Sequence, residues 1–245
     1  MANRRFRWCT GLLALVVLLC LTALGLMLKH EPTFFDNARP PSEIRHDEAL
    51  RFSTRFWQMS KDIQTSPTWG FDATETRINS FLEEGFPYLE QAERMRKLGI
   101  TDPVIKLDDD CIRLAFRYGS GWFSTVISYD LQVWLVPKDD NAVAIKVLRA
   151  RAGAVPISSQ TILHRLAELA REQNIDMNLY RHEGKSVAIL KLGGGGDPLN
   201  PTWKLTALKV GNTEQGPIML AIRGRTPDHF LPLPPIALPK ADVAQ

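Results

Sequence analysis

Beyond residue 29 the chain has a single cysteine, Cys111, so the folded part cannot be stapled by an internal disulfide and must rest on its hydrophobic core alone. Histidine is equally sparse. His30, His46, His164, His182 and His229 are scattered, no two stand at metal-ligand spacing, and no HExxH or paired cysteines accompany them, which removes the usual zinc chemistries and predicts no metal. No Lys and Ser or Thr follow the glycines of Gly193-Gly194-Gly195-Gly196; Asp197-Pro198 comes instead, so a phosphate loop is excluded and a strand connection is expected. Asp108-Asp109-Asp110 and Asp139-Asp140-Asn141 lack the spaced ligands and distal Glu of a calcium loop and read as hairpin turns. No nucleophile, base and orienting acid can be nominated together, so neither an enzyme nor a cofactor is predicted. Ser158 and Ser159, after Pro156, read as helix caps, and Cys111 as a structural, half-buried thiol.

A basic surface is missing as well. Four of the 30 Lys and Arg lie in residues 1–29, which hold no acid, leaving 26 bases against 27 acids and no face for nucleic acid. Long apolar runs are absent except for one. From Gly11 to Leu28 there is no charge, and at 1.5 Å per residue these 18 residues reach about 27 Å, close to a hydrocarbon core. Arg4, Arg5 and Arg7 before the run keep the N-terminus inside the cell, Trp8 and Lys29 suit the two interfaces, and the rest of the chain is expected outside the cytoplasmic membrane. The competing reading is a signal peptide cut near Ala23-Leu24-Gly25.

What is present reads as one α+β domain with appendages: an anchor over 1–29, a stalk over 30–70, a domain over 71–226 and a proline-rich tail over 227–245. In the stalk, Ala49, Phe52, Phe56, Met59 and Ile63 make one apolar stripe, which packs on the domain, the membrane or a partner helix. Asp72 and Glu75 have capping-box spacing ahead of a helix that carries Ile78, Phe81 and Leu82 on one face and stops at Gly85. A second short helix runs from Tyr88 to Leu98. After Pro103 the period becomes two: Ile112 to Tyr118 makes one strand, and Trp122 to Val136 a second, with Ile127, Tyr129, Leu131, Val133 and Leu135 on one face. Val143, Ile145 and Val147 belong to a third, and short turns make the three an antiparallel meander. A helix over 158–173 presents Ile162, Leu166 and Leu169, and shorter strands follow at 177–181, 186–191, 203–210 and 218–223. The expectation is a curved antiparallel sheet of about six to seven strands packed by two or more amphipathic helices. Where helices pack imperfectly on such a sheet, the fourteen apolar residues just named, from Ile78 to Leu169 with Phe81, Leu82 and the strand positions between, would line an apolar groove.

The basic start and single span, the run Glu75-Thr76-Arg77-Ile78-Asn79-Ser80-Phe81-Leu82, the strand meander and Ala152-Gly153-Ala154-Val155-Pro156-Ile157 before a helix resemble the YpmS-like family of membrane-anchored bacterial envelope proteins. The resemblance covers residues 71–225; the glycine run and the tail depart from it. It implies an envelope location and lipid contact rather than a reaction. Two functions are thus expected in competition: a noncatalytic module that binds a lipid or lipid-linked molecule in its groove, or an interaction subunit that docks on an envelope protein through 42–64 or the tail.

Overall fold

The computed structural model describes residues 2–137, 139, 141–172, 176–182, 185–192, 203–211 and 218–226; side chains are described from Leu15 on, except those of Ile162, Arg165, Leu166, Leu169, Glu172, His182 and Lys185. The glycine run, the proline-rich tail with His229, and the side chains of Arg4, Arg5, Arg7 and Trp8 lie outside the described residues.

Helix α1 (Ala2–Lys29) carries no acid in its first turn and ends on Lys29. It is long and apolar enough to cross a membrane, and its apolar stretch is not buried by the rest of the chain. Pro32, Pro40 and Pro41 interrupt the helical course, and two helices start directly after prolines: α2 (Thr33–Asn37) and α3 (Ser42–Thr65). The segment read as a stalk is packed rather than free. Phe35 of α2 is completely buried in a cluster with Ala38, Val104, Ala115 and Val126. The stripe on α3 covers its own domain: Phe52 stacks on Phe81 at 4.6 Å and meets Phe71 edge-on at 5.4 Å, and Met59 joins the same cluster.

Strand β1 (Thr68–Thr74) follows, with Trp69, Phe71 and Ala73 buried in alternation. Helix α4 (Glu75–Glu84) is capped by Thr74, whose hydroxyl accepts from the Arg77 N–H, and not by Asp72 as the capping-box spacing suggested. Asp72 instead faces across the strand pair to Arg223, 2.7 Å away. After a 3₁₀ turn at Phe86–Tyr88 and helix α5 (Glu90–Lys97) come β2 (Ile100–Asp108), β3 (Cys111–Tyr118), β4 (Thr125–Leu135), β5 (Ala142–Ala152), the short β6 (Val155–Pro156), α6 (Ser159–Glu172), β7 (Asp176–His182), β8 (Lys185–Lys191), β9 (Lys204–Gly211) and β10 (Met219–Arg225). The α+β class is as expected, but the strands form two sheets. One runs β2-β3-β4-β5-β8-β7 with β6 on β5, and the other runs β1-β10-β9. All pairs are antiparallel, and neither sheet closes.

The edge strand β2 had no clear alternation in the sequence because it begins before Pro103, at a bulge. The register shifts between Thr101 and Val104, and Asp102 takes a φ of 51°. Proline is tolerated at such a position because an edge strand leaves one row of N–H groups unused. Three of the edge groups are met by α4. Asn79 is 1% exposed; its Nδ2 donates to the Ile105 carbonyl at 2.7 Å and to the Ala38 carbonyl at 3.0 Å, and its Oδ1 accepts from the Ile105 N–H at 2.8 Å. Glu75 accepts from the Leu107 N–H at 2.9 Å. Asn141, in the β4–β5 turn, does the same for the second sheet, donating to the Trp203 carbonyl and accepting from the Leu205 N–H.

Helix α6 covers the other half of the large sheet. Leu163, Ala167 and Ala170 are buried with Val147, Ala150, Met177 and Ala188, and Tyr129 and Leu131 pack against them. Burial raises the pKa of the Tyr129 phenol above its ordinary value of 10.0. The folded state therefore keeps its full contribution from this group below pH 10 and loses it as the pH climbs, since the unfolded phenol ionises first. Denaturation midpoints measured from neutral to strongly alkaline pH should fall less steeply in Tyr129→Phe than in the parent.

Candidate functional site

An arrangement of apolar and charged groups lies where α4, α5, the start of β2 and the α2–α3 link meet. A cavity of about 380 Å³ opens there. Its apolar wall comes from Leu82, Phe86, Met95, Ile100 and Val104, and Arg39, Arg45 and Arg96 stand around it with Glu83 and Asp102. The elements set this up in simple ways. Gly85 ends α4, a proline-containing 3₁₀ turn reverses the chain, and α5 brings Met95 and Arg96 back over Ile100.

The three guanidiniums are held differently. Arg45 pairs with Glu83 at 2.8 Å and donates to the Pro40 carbonyl at 3.1 Å, yet its buried Nε and the buried Oε1 of Glu83 have no hydrogen-bond partner. The Arg39 guanidinium lies 5.2 Å from the centre of the Phe35 ring, and Arg96 donates to the Pro87 carbonyl at 3.3 Å. Among the described residues neither Arg39 nor Arg96 forms an ion pair. Asp102 is engaged elsewhere, 3.4 Å from Arg117, whose Nη1 lies 2.8 Å from Glu31. The hydrogen bond that Arg117 donates to Glu31 raises the Arg117 pKa further and ties the segment after α1 to the sheet. An apolar wall with two guanidiniums free of ion pairs among the described residues, beside the Arg45–Glu83 pair, suits an anionic amphiphile: the forks recognise phosphate or carboxylate, and the wall takes the attached chain. No Ser, Cys or His lines the cavity.

This cavity sits at the end of the sheet where α1 docks. Ile100 pairs with Tyr118 and Tyr118 with Thr125, so two strand spacings, about 10 Å, separate the cavity wall from the strand that receives α1. The Thr125 hydroxyl donates to the Leu28 carbonyl at 2.5 Å and the Ala154 N–H to the Met27 carbonyl at 2.7 Å. A smaller, polar cleft of about 210 Å³ adjoins the same junction, lined in part by His30, Arg113, Asp130, Arg149 and Arg151. Arg113 and Arg149 share Asp130, at 4.0 and 3.8 Å, while Arg151 has no ion pair among the described residues.

The residues expected to line a groove go to several places. Ile78, Val143 and Val147 are buried; Phe81 stacks on Phe52; Tyr129, Leu131 and Ile145 pack against the α6 cluster. Ile127, Val133 and Leu135 are half-buried on β4, and the side chains of Ile162, Leu166 and Leu169 lie outside those described. Leu82 alone of the fourteen lines one of the cavities described above. Arg39, Arg45 and Arg96 escaped the sequence reading because no spacing links them; only the fold brings them together. Among the described residues no group of His, Cys, Asp and Glu is arranged to hold a metal. Cys111 is half-buried at the start of β3, and burial, then Asp130, raises its pKa, which disfavours the reactive thiolate. No protein-family model, curated protein or solved structure matches the chain.

Proposed function

We propose that this chain is a noncatalytic bacterial envelope protein, held in the cytoplasmic membrane by α1 with its N-terminus inside, whose domain binds an anionic lipid or lipid-linked molecule. The head group is met by Arg39, Arg45 and Arg96, and the start of the acyl chain lies against Leu82, Phe86, Met95 and Ile100. One observation carries this reading: an apolar-walled, arginine-rimmed cavity about 10 Å across the sheet from the strand on which the membrane-length helix docks. Its volume falls in the range of small-molecule sites, roughly 300–1,000 Å³. The resemblance to YpmS-like proteins points the same way, towards lipid contact without a reaction.

Native mass spectrometry of the full chain, purified in phospholipid nanodiscs and released gently, tests the proposal. The parent is expected to retain a phosphorus-containing lipid. Arg39→Glu with Arg96→Glu should lower occupancy about a hundredfold, the equivalent of two lost charge-assisted contacts of about 1.4 kcal/mol each. Met95→Trp should lower it by filling the cavity. Unchanged occupancy in both variants, with circular dichroism showing each folded, would overturn the assignment.

A further inference from the structure

The β3–β4 hairpin carries two large side chains that the domain does not use. Trp122 is 83% exposed and Phe123 90% exposed, at the tip, in a 3₁₀ turn over Gly121–Phe123. Tyr118 at the base of the hairpin is exposed too, and so is Leu98, brought beside it by the hydrogen bond from the Gly119 N–H to the Gly99 carbonyl. Single exposed apolar residues are ordinary on a protein surface. A cluster of four around one turn, with two adjacent aromatics almost wholly uncovered, calls for a surface to meet.

The position of this turn is fixed relative to α1. Thr125 and Ala154 bind the last carbonyls of the helix, and Lys29 donates to the Ser124 carbonyl at 3.0 Å. The Lys29 ammonium lies 5.5 Å from the centre of the Trp122 ring. The tip therefore stands beside the final turn of the apolar helix. At that depth a bilayer has its boundary between head groups and acyl chains, where indole rings concentrate and lysines extend towards the phosphates.

We infer that the hairpin tip is a second membrane contact, with Trp122 and Phe123 seated in the head-group boundary next to the point where α1 leaves the bilayer. The inference rests on the reading of α1 as a membrane span. The occupant is lipid because the tip stands beside Lys29, the last residue of α1, at the level where that span leaves the bilayer. Two points of attachment, helix and hairpin, stop the domain from pivoting and hold the arginine-rimmed cavity at a constant height above the membrane.

The test uses the full chain in nanodiscs of phosphatidylcholine and phosphatidylglycerol, with Cys9, Cys20 and Cys111 changed to Ser except where a nitroxide is attached. One sample carries the label at native Cys20, in the middle of α1; another carries it at Ser120→Cys, at the tip with both aromatics intact. Power saturation should show both labels more accessible to oxygen than to a water-soluble nickel complex. Trp122→Asp with Phe123→Asp should abolish the oxygen preference at position 120 and leave that at Cys20 unchanged. A lipid-facing Cys20 with a water-exposed position 120 in the parent overturns the hairpin contact alone. Water exposure at both positions overturns the membrane span and the hairpin contact with it.

Discussion

Asn79→Ala is expected to cost the domain about 3 kcal/mol, because truncation leaves three interior main-chain groups without partners at roughly 1–3 kcal/mol each before relaxation. Those groups are the N–H and carbonyl of Ile105 and the carbonyl of Ala38. The side chain acts as a short surrogate strand: one amide face offers the donor and acceptor that a neighbouring strand would have offered to β2. Asn79→Asp should be worse than Asn79→Ala. A carboxylate can still accept from Ile105, but it has nothing to donate to two carbonyl oxygens 2.7 and 3.0 Å from the native amide nitrogen, and it is a charge at a site 1% exposed. Glu75→Gln supplies the contrast, since an amide oxygen can still accept from Leu107, and its cost should stay within about 1 kcal/mol. Denaturant midpoints of the full chain in one detergent would rank the three. Asn79→Ala lying within the error of Glu75→Gln would remove the clamp. An unclamped β2 also presents a bare strand edge, so Asn79→Asp is expected to aggregate on partial unfolding.

Asn79 also shows where sequence reading stops. It stood in the run that resembled a known family, and nothing in its neighbours said what it bonds: its partners lie 26 and 41 positions away. The long strands β3, β4 and β5 were readable because each keeps one dry face for many residues, and α6 because its apolar stripe is unbroken. Strand β2 was hidden by Pro103 and its bulge, and β1 by an Asp72–Glu75 spacing that suits a helix cap equally well. The division into two sheets follows from β1 meeting β10, a contact such as Asp72 to Arg223 across 151 positions, which no local period reports. The sequence places the tip residues Trp122 and Phe123 in β4, whose apolar character they extend backwards. Gly121, with a φ of 55°, turns them out of it. The arginines of the cavity belong to three separate segments, and a surface arginine in a helix gives no sign of what the fold will set opposite it.

Gly153→Val is expected to be among the most damaging single changes in the chain, at about 3 kcal/mol or more, since a β-branched residue is forced into left-handed backbone against fixed main-chain atoms. Gly153 has a φ of 60°, and a Cβ placed there would stand 2.3 Å from the Met27 carbonyl oxygen and 2.6 Å from that of Leu28. No flexible side chain can yield; the end of α1 itself must move. That movement would break the bonds from Ala154 to Met27 and from Thr125 to Leu28, so the sheet should survive while the helix loses its seat. Gly121→Ala isolates the backbone part of the effect. Its φ of 55° carries similar strain, but nothing lies within 4 Å of the added Cβ, and it should cost only about 1 kcal/mol. Limited trypsin digestion reads the docking directly: Gly153→Val should expose the Lys29–His30 bond to cleavage, and Gly121→Ala should not. If the two variants were equally stable and equally resistant, the seat of α1 on the β5–β6 turn would have to be abandoned, and with it the fixed height proposed for the arginine-rimmed cavity.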